Sequence, residues 1–146
     1  VWAVNPREDT LDSLWDYIIH FAQEYLATAG IACRLEAPET IPAIPLRAEA
    51  RHNLFLAVKE ALNNVVKHAG ASEVRLSLTV SPTEFEIEVQ DDGSGRSATP
   101  TKTPLRVQGG RGLRNIDERM LSIGARFQIS NGATGGTRVR LTQSRP

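Results

Sequence analysis

Four short runs of this 146-residue chain concentrate residue types suited to holding cations, anions and planar polar groups. They are Glu60-Ala61-Leu62-Asn63-Asn64-Val65-Val66-Lys67-His68-Ala69, Asp91-Asp92-Gly93-Ser94-Gly95, Gly110-Arg111-Gly112-Leu113 and Gly135-Gly136-Thr137. In the first, Glu60 and Asn64 stand one helical turn apart, so a carboxylate and an amide oxygen can meet the same ion from one helix face. Magnesium favours a few hard oxygen ligands completed by water and phosphate oxygens, rather than a full protein cage. Lys67 and His68 then lie within reach of phosphate oxygens. The same side chains also suit a solvated helix face, and His68 alone suits a helix C-terminus favoured by the dipole.

Asp91 falls where an alternating strand runs out, and Gly93 and Gly95 follow it. A carboxylate placed there can accept from the exocyclic amine of adenine, and glycines let the backbone approach the base. Asp-Gly is equally a common turn. Gly110 and Gly112 stand just before a helical pattern, where unpaired backbone N–H groups and the helix dipole form an anion site. A plain glycine loop ending at a helix has the same composition. Thr137, which opens a β-prone stretch, is also an ordinary strand residue.

These groups need a frame. A first helix follows Asp9 or Thr10, either of which can cap it, with Leu11, Leu14, Trp15, Ile18, Ala22, Tyr25 and Leu26 at helical spacing and Gly30 as its stop. A strand over 32–36 comes next, and Pro38, Pro42 and Pro45 forbid regular structure until about Leu46. The second helix, over 47–68, gathers Phe55, Leu62, Val65 and Ala69 within about 60° of Val58. Glu60, Asn64, Lys67 and His68 take the opposite arc, and Leu56 falls near that polar side.

Val74, Leu76, Leu78 and Val80, then Phe85, Ile87 and Val89, alternate with polar residues across a Ser81-Pro82-Thr83 turn, which predicts an antiparallel pair with one wet face. Residues 93–112 read as a long loop with Arg96, Lys102, Arg106 and Arg111 but no acid. Gly112 opens a third helix carrying Leu113, Ile116, Met120 and Ile123, stopped by Gly124, and strands over 126–130 and 137–142 follow. The expected fold is an α/β two-layer sandwich, three main helices on one face of a mixed, mostly antiparallel sheet.

Composition removes several function classes. With 17 basic and 17 acidic side chains the net charge is zero, which gives no general nucleic-acid or membrane surface. The single cysteine, Cys33, allows no internal disulfide, reads as a small apolar residue and suits a reducing cytoplasm. No apolar run approaches the ~20 residues of a membrane span, and neither an internal repeat nor a signal peptide is visible. The opening at Val1 and the single methionine, Met120, read as a fragment: residues 1–8 a linker, residues 9–146 one domain.

Taken in order, the four runs resemble the N, G1, G2 and G3 boxes of the Bergerat-fold ATP-binding superfamily, over about residues 50–142. The first run points further, to sensor histidine kinases, and is especially similar to those paired with helix-turn-helix response regulators. The resemblance implies ATP and Mg2+ as ligands. It implies Asn64 as principal metal ligand, Glu60 as ligand or water-orienting catalytic group, and Lys67 and His68 as phosphate contacts. By the same resemblance Asp91, with Gly93 and Gly95, reads adenine, and Gly110, Gly112 and Leu113 belong to a loop closing over the phosphates. Thr137 would place a hydroxyl near the base, with a bound water. Asp92 and Arg111 fill variable positions. The last run departs from the usual G-x-G-T, so only Gly136 and Thr137 align, and no Phe-rich box lies between the second and third runs.

Such a kinase needs a phosphoacceptor histidine on a helical hairpin, and none of His20, His52 and His68 reads as one. The opening Val1-Trp2-Ala3-Val4-Asn5-Pro6 resembles the junction after dimerisation helices. The implied partners are therefore an upstream dimerisation and phosphoacceptor domain and, through it, a response regulator, with no nucleic acid and no direct membrane contact. The expected function is the ATP-binding catalytic domain of a sensor histidine kinase, on the cytoplasmic side of a membrane-anchored receptor, unable to phosphorylate itself alone. An anti-sigma-factor serine kinase of the same fold is the alternative. A degenerate docking module conflicts with the intact Glu60, Asn64 and Asp91. A gyrase-like ATPase would need a transducer domain after residue 146.

Overall fold

The computed structural model describes residues 9–93, 110–131 and 136–145. The expected linker over 1–8, Gly95 with most of the basic loop, and Gly135 lie outside the described residues. Helix α1, Leu11–Thr28, buries Leu11, Leu14, Trp15, Ile18, Ala22 and Leu26, the stripe its sequence spacing requires. Neither Asp9 nor Thr10 caps it through a side chain. Backbone pairing takes that role: Leu11 N–H donates to Ile44 O at 2.8 Å and Leu46 N–H to Asp9 O at 2.9 Å. Part of the proline-rich stretch is thereby fixed against the start of α1.

Strand β1, Ala32–Glu36, feeds through that stretch into α2, Ala48–Asn64. The second helix is not α-helical to His68. At Val65–Ala69 the backbone widens into a π-helical turn, ended by Gly70 at φ +61°. One hundred degrees per residue therefore stops describing this helix after Asn64.

Strands β2, Glu73–Val80, and β3, Glu84–Asp91, form the expected hairpin. Ser81 holds its turn: the hydroxyl oxygen accepts from Glu84 N–H at 3.1 Å, and Ser81 N–H donates to Glu84 O at 2.8 Å. Helix α3, Gly110–Ser122, begins two residues before the expected Gly112. Strands β4, Arg126–Asn131, and β5, Thr137–Ser144, both run longer than expected, because Asn131 pairs with Thr137 while Gln143 and Ser144 pair with Phe85 and Glu84 of β3.

The sheet order is β1-β2-β3-β5-β4, with β1 parallel to β2 and the remaining pairs antiparallel. Helix α2 lies between α1 and α3; α1 packs on β1 and α3 on β4. Inward side chains of the sheet (Val74, Leu76, Leu78, Phe85, Ile87, Val89, Phe127, Val139 and Leu141) join the apolar faces of the helices in one core. The architecture is the expected two-layer sandwich. Ion pairs rule the other sheet face: Arg138 and Arg140 meet Glu88 at 3.5 and 3.2 Å, and Arg126 meets Glu84 at 3.0 Å.

Candidate functional site

Asp91 is the last residue of β3 and continues the inward set Phe85, Ile87 and Val89, so strand alternation places a carboxylate at the end of the core. It is only 3% exposed. Its Oδ1 accepts from Gly93 N–H at 2.9 Å and, more weakly, from Thr137 N–H at 3.4 Å. The first bond is an Asx turn, so the alternative of a plain turn is right as geometry, and the turn also fixes the carboxylate. Both are backbone amide donors among the described residues, and both meet the same oxygen.

Gly136 completes this corner. Its φ is +72°, and a Cβ there would fall onto the Asp91 carbonyl oxygen and within 2.9 Å of Oδ1. Only a residue without a side chain allows β5 to begin this close to the end of β3. Asp91, Gly93, Gly136 and Thr137 are thus drawn together from two strands and one turn.

The second group lies on α2 and the π turn. Glu60 and Asn64 are both partly buried, and Lys67 is exposed. The Nδ2 of Asn64 is buried and has no hydrogen-bond partner among the described residues. Such an orphan is costly unless a ligand satisfies it. Turning the amide by half a revolution presents the oxygen at the same place, so the side chain suits a cation as well as an acceptor. With the Glu60 carboxylate one turn earlier, the donor set fits magnesium. His68 lies in the π turn, but its side chain is outside the described residues. Helix α2 packs on β3, the strand that ends at Asp91.

Gly110, Arg111, Gly112 and Leu113 form the first turn of α3, with backbone N–H groups unpaired within the helix. The glycines therefore belong to the helix, not to a loop before it. Asn115 and Arg119, further along α3, share a groove of about 300 Å³ with Glu60 and Asn63.

Two residues with no expected role carry structure at the site. Asp92, exposed, accepts at Oδ1 from Ser72 N–H at 2.8 Å and Glu73 N–H at 3.0 Å, and at Oδ2 from the Ser72 hydroxyl at 2.7 Å. The Ser72 hydroxyl first, and the Glu73 amide next, hold its carboxyl below the usual aspartate range. Asn63 accepts from the Tyr25 hydroxyl at 2.8 Å, which ties α1 to the turn bearing Glu60 and Asn64. Sequence gives Asp92 no signal beyond a polar neighbour of Asp91, whereas the paired asparagines at 63 and 64 do mark two faces of one turn. Cys33 is half-buried in β1, and burial pushes its thiol up, away from reactive thiolate.

Comparison with known proteins matches residues 16–143 to the family model described as histidine kinase-like ATPase domain. The sensor histidine kinase MctS of Rhizobium johnstonii is 32% identical over 81% of this chain and 24% of its own length. The signal transduction histidine-protein kinase/phosphatase UhpB of Salmonella typhimurium is 35% identical over 80% of this chain and 21% of its own. The chain thus spans less than a quarter of the length of these relatives. Among solved structures, the ATP binding domain of PrrB from Mycobacterium tuberculosis superimposes with a TM-score of 0.71 at 26% identity, covering 94% of this chain and 95% of that one. The histidine kinase domain of the Erythrobacter litoralis EL346 blue-light activated kinase gives 0.73 at 22% identity, over 96% of this chain and 64% of that one, a likeness of fold.

Proposed function

The chain belongs to the histidine kinase-like ATPase domain family, and from that membership we propose that it binds Mg-ATP and presents the γ-phosphoryl group to a histidine on another domain of a two-component sensor kinase. The observation that carries the reading is the buried Asp91 carboxylate, fixed at a strand end by Gly93 and backed by Gly136. It is a rigid acceptor suited to the amine of adenine.

In this reading Asn64 is the principal ligand of the magnesium ion, with Glu60 as second ligand or as the group orienting water. Lys67, His68 and the backbone of Gly110, Gly112 and Leu113 hold phosphate oxygens. Gly93 and Gly95 flank the base, and Thr137 places its hydroxyl beside it. ATP would supply the phosphoryl group, and a magnesium ion held there would offset its charge. Positioning and electrostatics are most of what phosphoryl transfer asks of a protein, and a site of amide, carboxylate, ammonium and backbone N–H groups supplies both. Residues 1–8 act as the linker and 9–146 as the catalytic domain. The acceptor histidine lies on an upstream dimerisation domain, through which a response regulator is served.

Among the described residues no helix is long and apolar enough to cross a membrane; we place this domain on the cytoplasmic side of an anchored receptor. The anti-sigma-factor alternative is not favoured, since both relatives named above are histidine kinases.

Titrating ATP with and without magnesium tests the reading. The native chain should bind in the micromolar range or above with a clear magnesium dependence. Asn64→Ala should abolish that dependence without unfolding, since its Nδ2 has no partner among the described residues to lose. Unchanged magnesium dependence in the variant would remove Asn64 as ligand. Added ATP should not label the chain itself, and should label a separately supplied upstream domain.

A further inference from the structure

The last regular turn of α2 carries three polar side chains, Glu60, Asn63 and Asn64, all partly buried. On a regular helix Asn63 lies about 60° to one side of Glu60 and Asn64 about 40° to the other. The Asn63 side faces α1, where the Tyr25 hydroxyl donates to Asn63 Oδ1 at 2.8 Å. Tyr25 is itself held. Its ring stacks on Phe21 with centroids 5.3 Å and planes 15° apart, and Phe21 meets Phe55 of α2 edge-on at 5.3 Å. The bond therefore joins a fixed phenol to the turn that bears Glu60 and Asn64.

We propose that Tyr25, acting through Asn63, is a positioning residue for Glu60 and Asn64 as magnesium ligands, an inference that rests on the proposed function. Asn64 is the last residue in α-helical register, because the backbone widens into a π turn from Val65. Regular spacing beyond Asn64 therefore cannot fix where its side chain points. On the other flank Arg119 of α3 donates to Asn53 Oδ1 at 3.0 Å, but that tie lies ten residues before Asn63. The Nδ2 of Asn64 is buried without a partner among the described residues, so no bond at that atom steers the amide. The rotation of the turn about the helix axis is set at Asn63.

Small rotations matter here. A turn of about 10° carries an oxygen roughly 6 Å from the axis through about 1 Å. Magnesium demands near-ideal octahedral geometry, so a shift of that size spoils a ligand pair. A hydroxyl that touches neither ion nor nucleotide thus governs affinity for the ion, by an amount set by one hydrogen bond.

Magnesium titration of ATP binding by the 146-residue chain tests this in Tyr25→Phe and in Asn63→Ala. Each should raise the magnesium concentration at half effect roughly two- to tenfold and leave metal-free ATP affinity unchanged. Combined, the two should do no more than either alone, since both cut the same bond. Without metal or nucleotide, hydrogen exchange at the Val65 amide should quicken in both. Asn53→Ala, which cuts the α3 tie instead, should lower the urea midpoint without moving the magnesium one. An unmoved magnesium midpoint or unchanged Val65 exchange in Tyr25→Phe overturns the proposal. So do equal losses with and without metal, additive effects of the two substitutions, or a matching shift from Asn53→Ala. A native chain whose ATP binding ignores magnesium would instead sink the proposed function, and the positioning role with it.

Discussion

In the proposed reading, base selection rests on the Asp91 carboxylate. If Asp91 accepts from the adenine amine, guanine sets its carbonyl against the carboxylate in a buried corner. A buried acceptor left unpaired costs about 1–3 kcal/mol, roughly ten- to a hundredfold in affinity. ATP should therefore outcompete GTP by at least tenfold, and Asp91→Ala should weaken ATP far more than GTP; equal binding of the two by the native chain would undo the assignment. Gly136→Ala keeps the carboxylate but drives a methyl group into the Asp91 backbone. It should lower stability by about 1–3 kcal/mol and weaken ATP binding, read by urea unfolding and by titration. Full affinity in a stable Gly136→Ala chain would show that the close approach of β5 is dispensable. Asp91 was legible because strand alternation reaches it unbroken from Phe85. The need for Gly136 was not, because it arises from β3 and β5 meeting at residues 46 positions apart, Asp91 and Thr137.

The tie between the start of β2 and the end of β3 is an exposed carboxylate. Asp92 is held below the ordinary aspartate range by Ser72 and Glu73. A depressed carboxyl contributes stability above its unfolded value, near about 3.9, and loses it as pH falls through the folded one. Asp92→Asn should thus be less stable than the native chain at neutral pH, by about 1 kcal/mol or less at so exposed a position. The gap should start to shrink below about pH 4 and close as pH falls through the lower folded value. Urea unfolding at pH 7 and pH 3 checks this, and a pH-independent gap would contradict it; ATP affinity should not change. Helix α2 shows where reading by period stops. From Ala48 to Asn64 the angular arithmetic holds, with Leu54, Val58, Ala61 and Leu62 buried and Glu60 and Asn64 on the other side. At Val65–Ala69 a π turn intervenes, and no residue of that stretch announces it, since an extra backbone step costs little where the packing on either side demands it. The first turn of α3 was missed because glycine is a poor helix former, so Gly110 and Gly112 argue for loop although the helix starts at Gly110.

The two faces of the sheet divide the molecule into a dry half and a charged half. Arg34, Arg75, Arg126, Arg138 and Arg140 pair with Glu36, Glu73, Glu84, Glu86 and Glu88 across strands, so the outer face cancels its own charge. Most of these pairs are exposed and worth under about 1 kcal/mol each. Glu88 is the exception, 16% exposed and shared by Arg138 and Arg140. Glu88→Gln should therefore lower the melting temperature more than Glu36→Gln, and salt should narrow the difference; equal shifts would mean that the shared carboxylate is no anchor. This face was legible residue by residue as the polar half of an alternation, but its neutrality depends on which strands are neighbours, which no local pattern states.

One feature of that strand order reaches into how each copy is made. Strand β5, last along the chain, lies between β3 and β4 and contributes Gly136 and Thr137 beside Asp91. Strand β4 has no other sheet neighbour. During synthesis the earlier elements emerge first, yet the sheet has a gap at its middle until residues 137–144 arrive. A chain halted before residue 137 therefore lacks Gly136's neighbour strand beside Asp91 as well as the only described partner of β4. In the proposed reading nucleotide, which stabilises whatever it binds, protects only a chain that has passed residue 144, so a shorter one is left open to proteolysis.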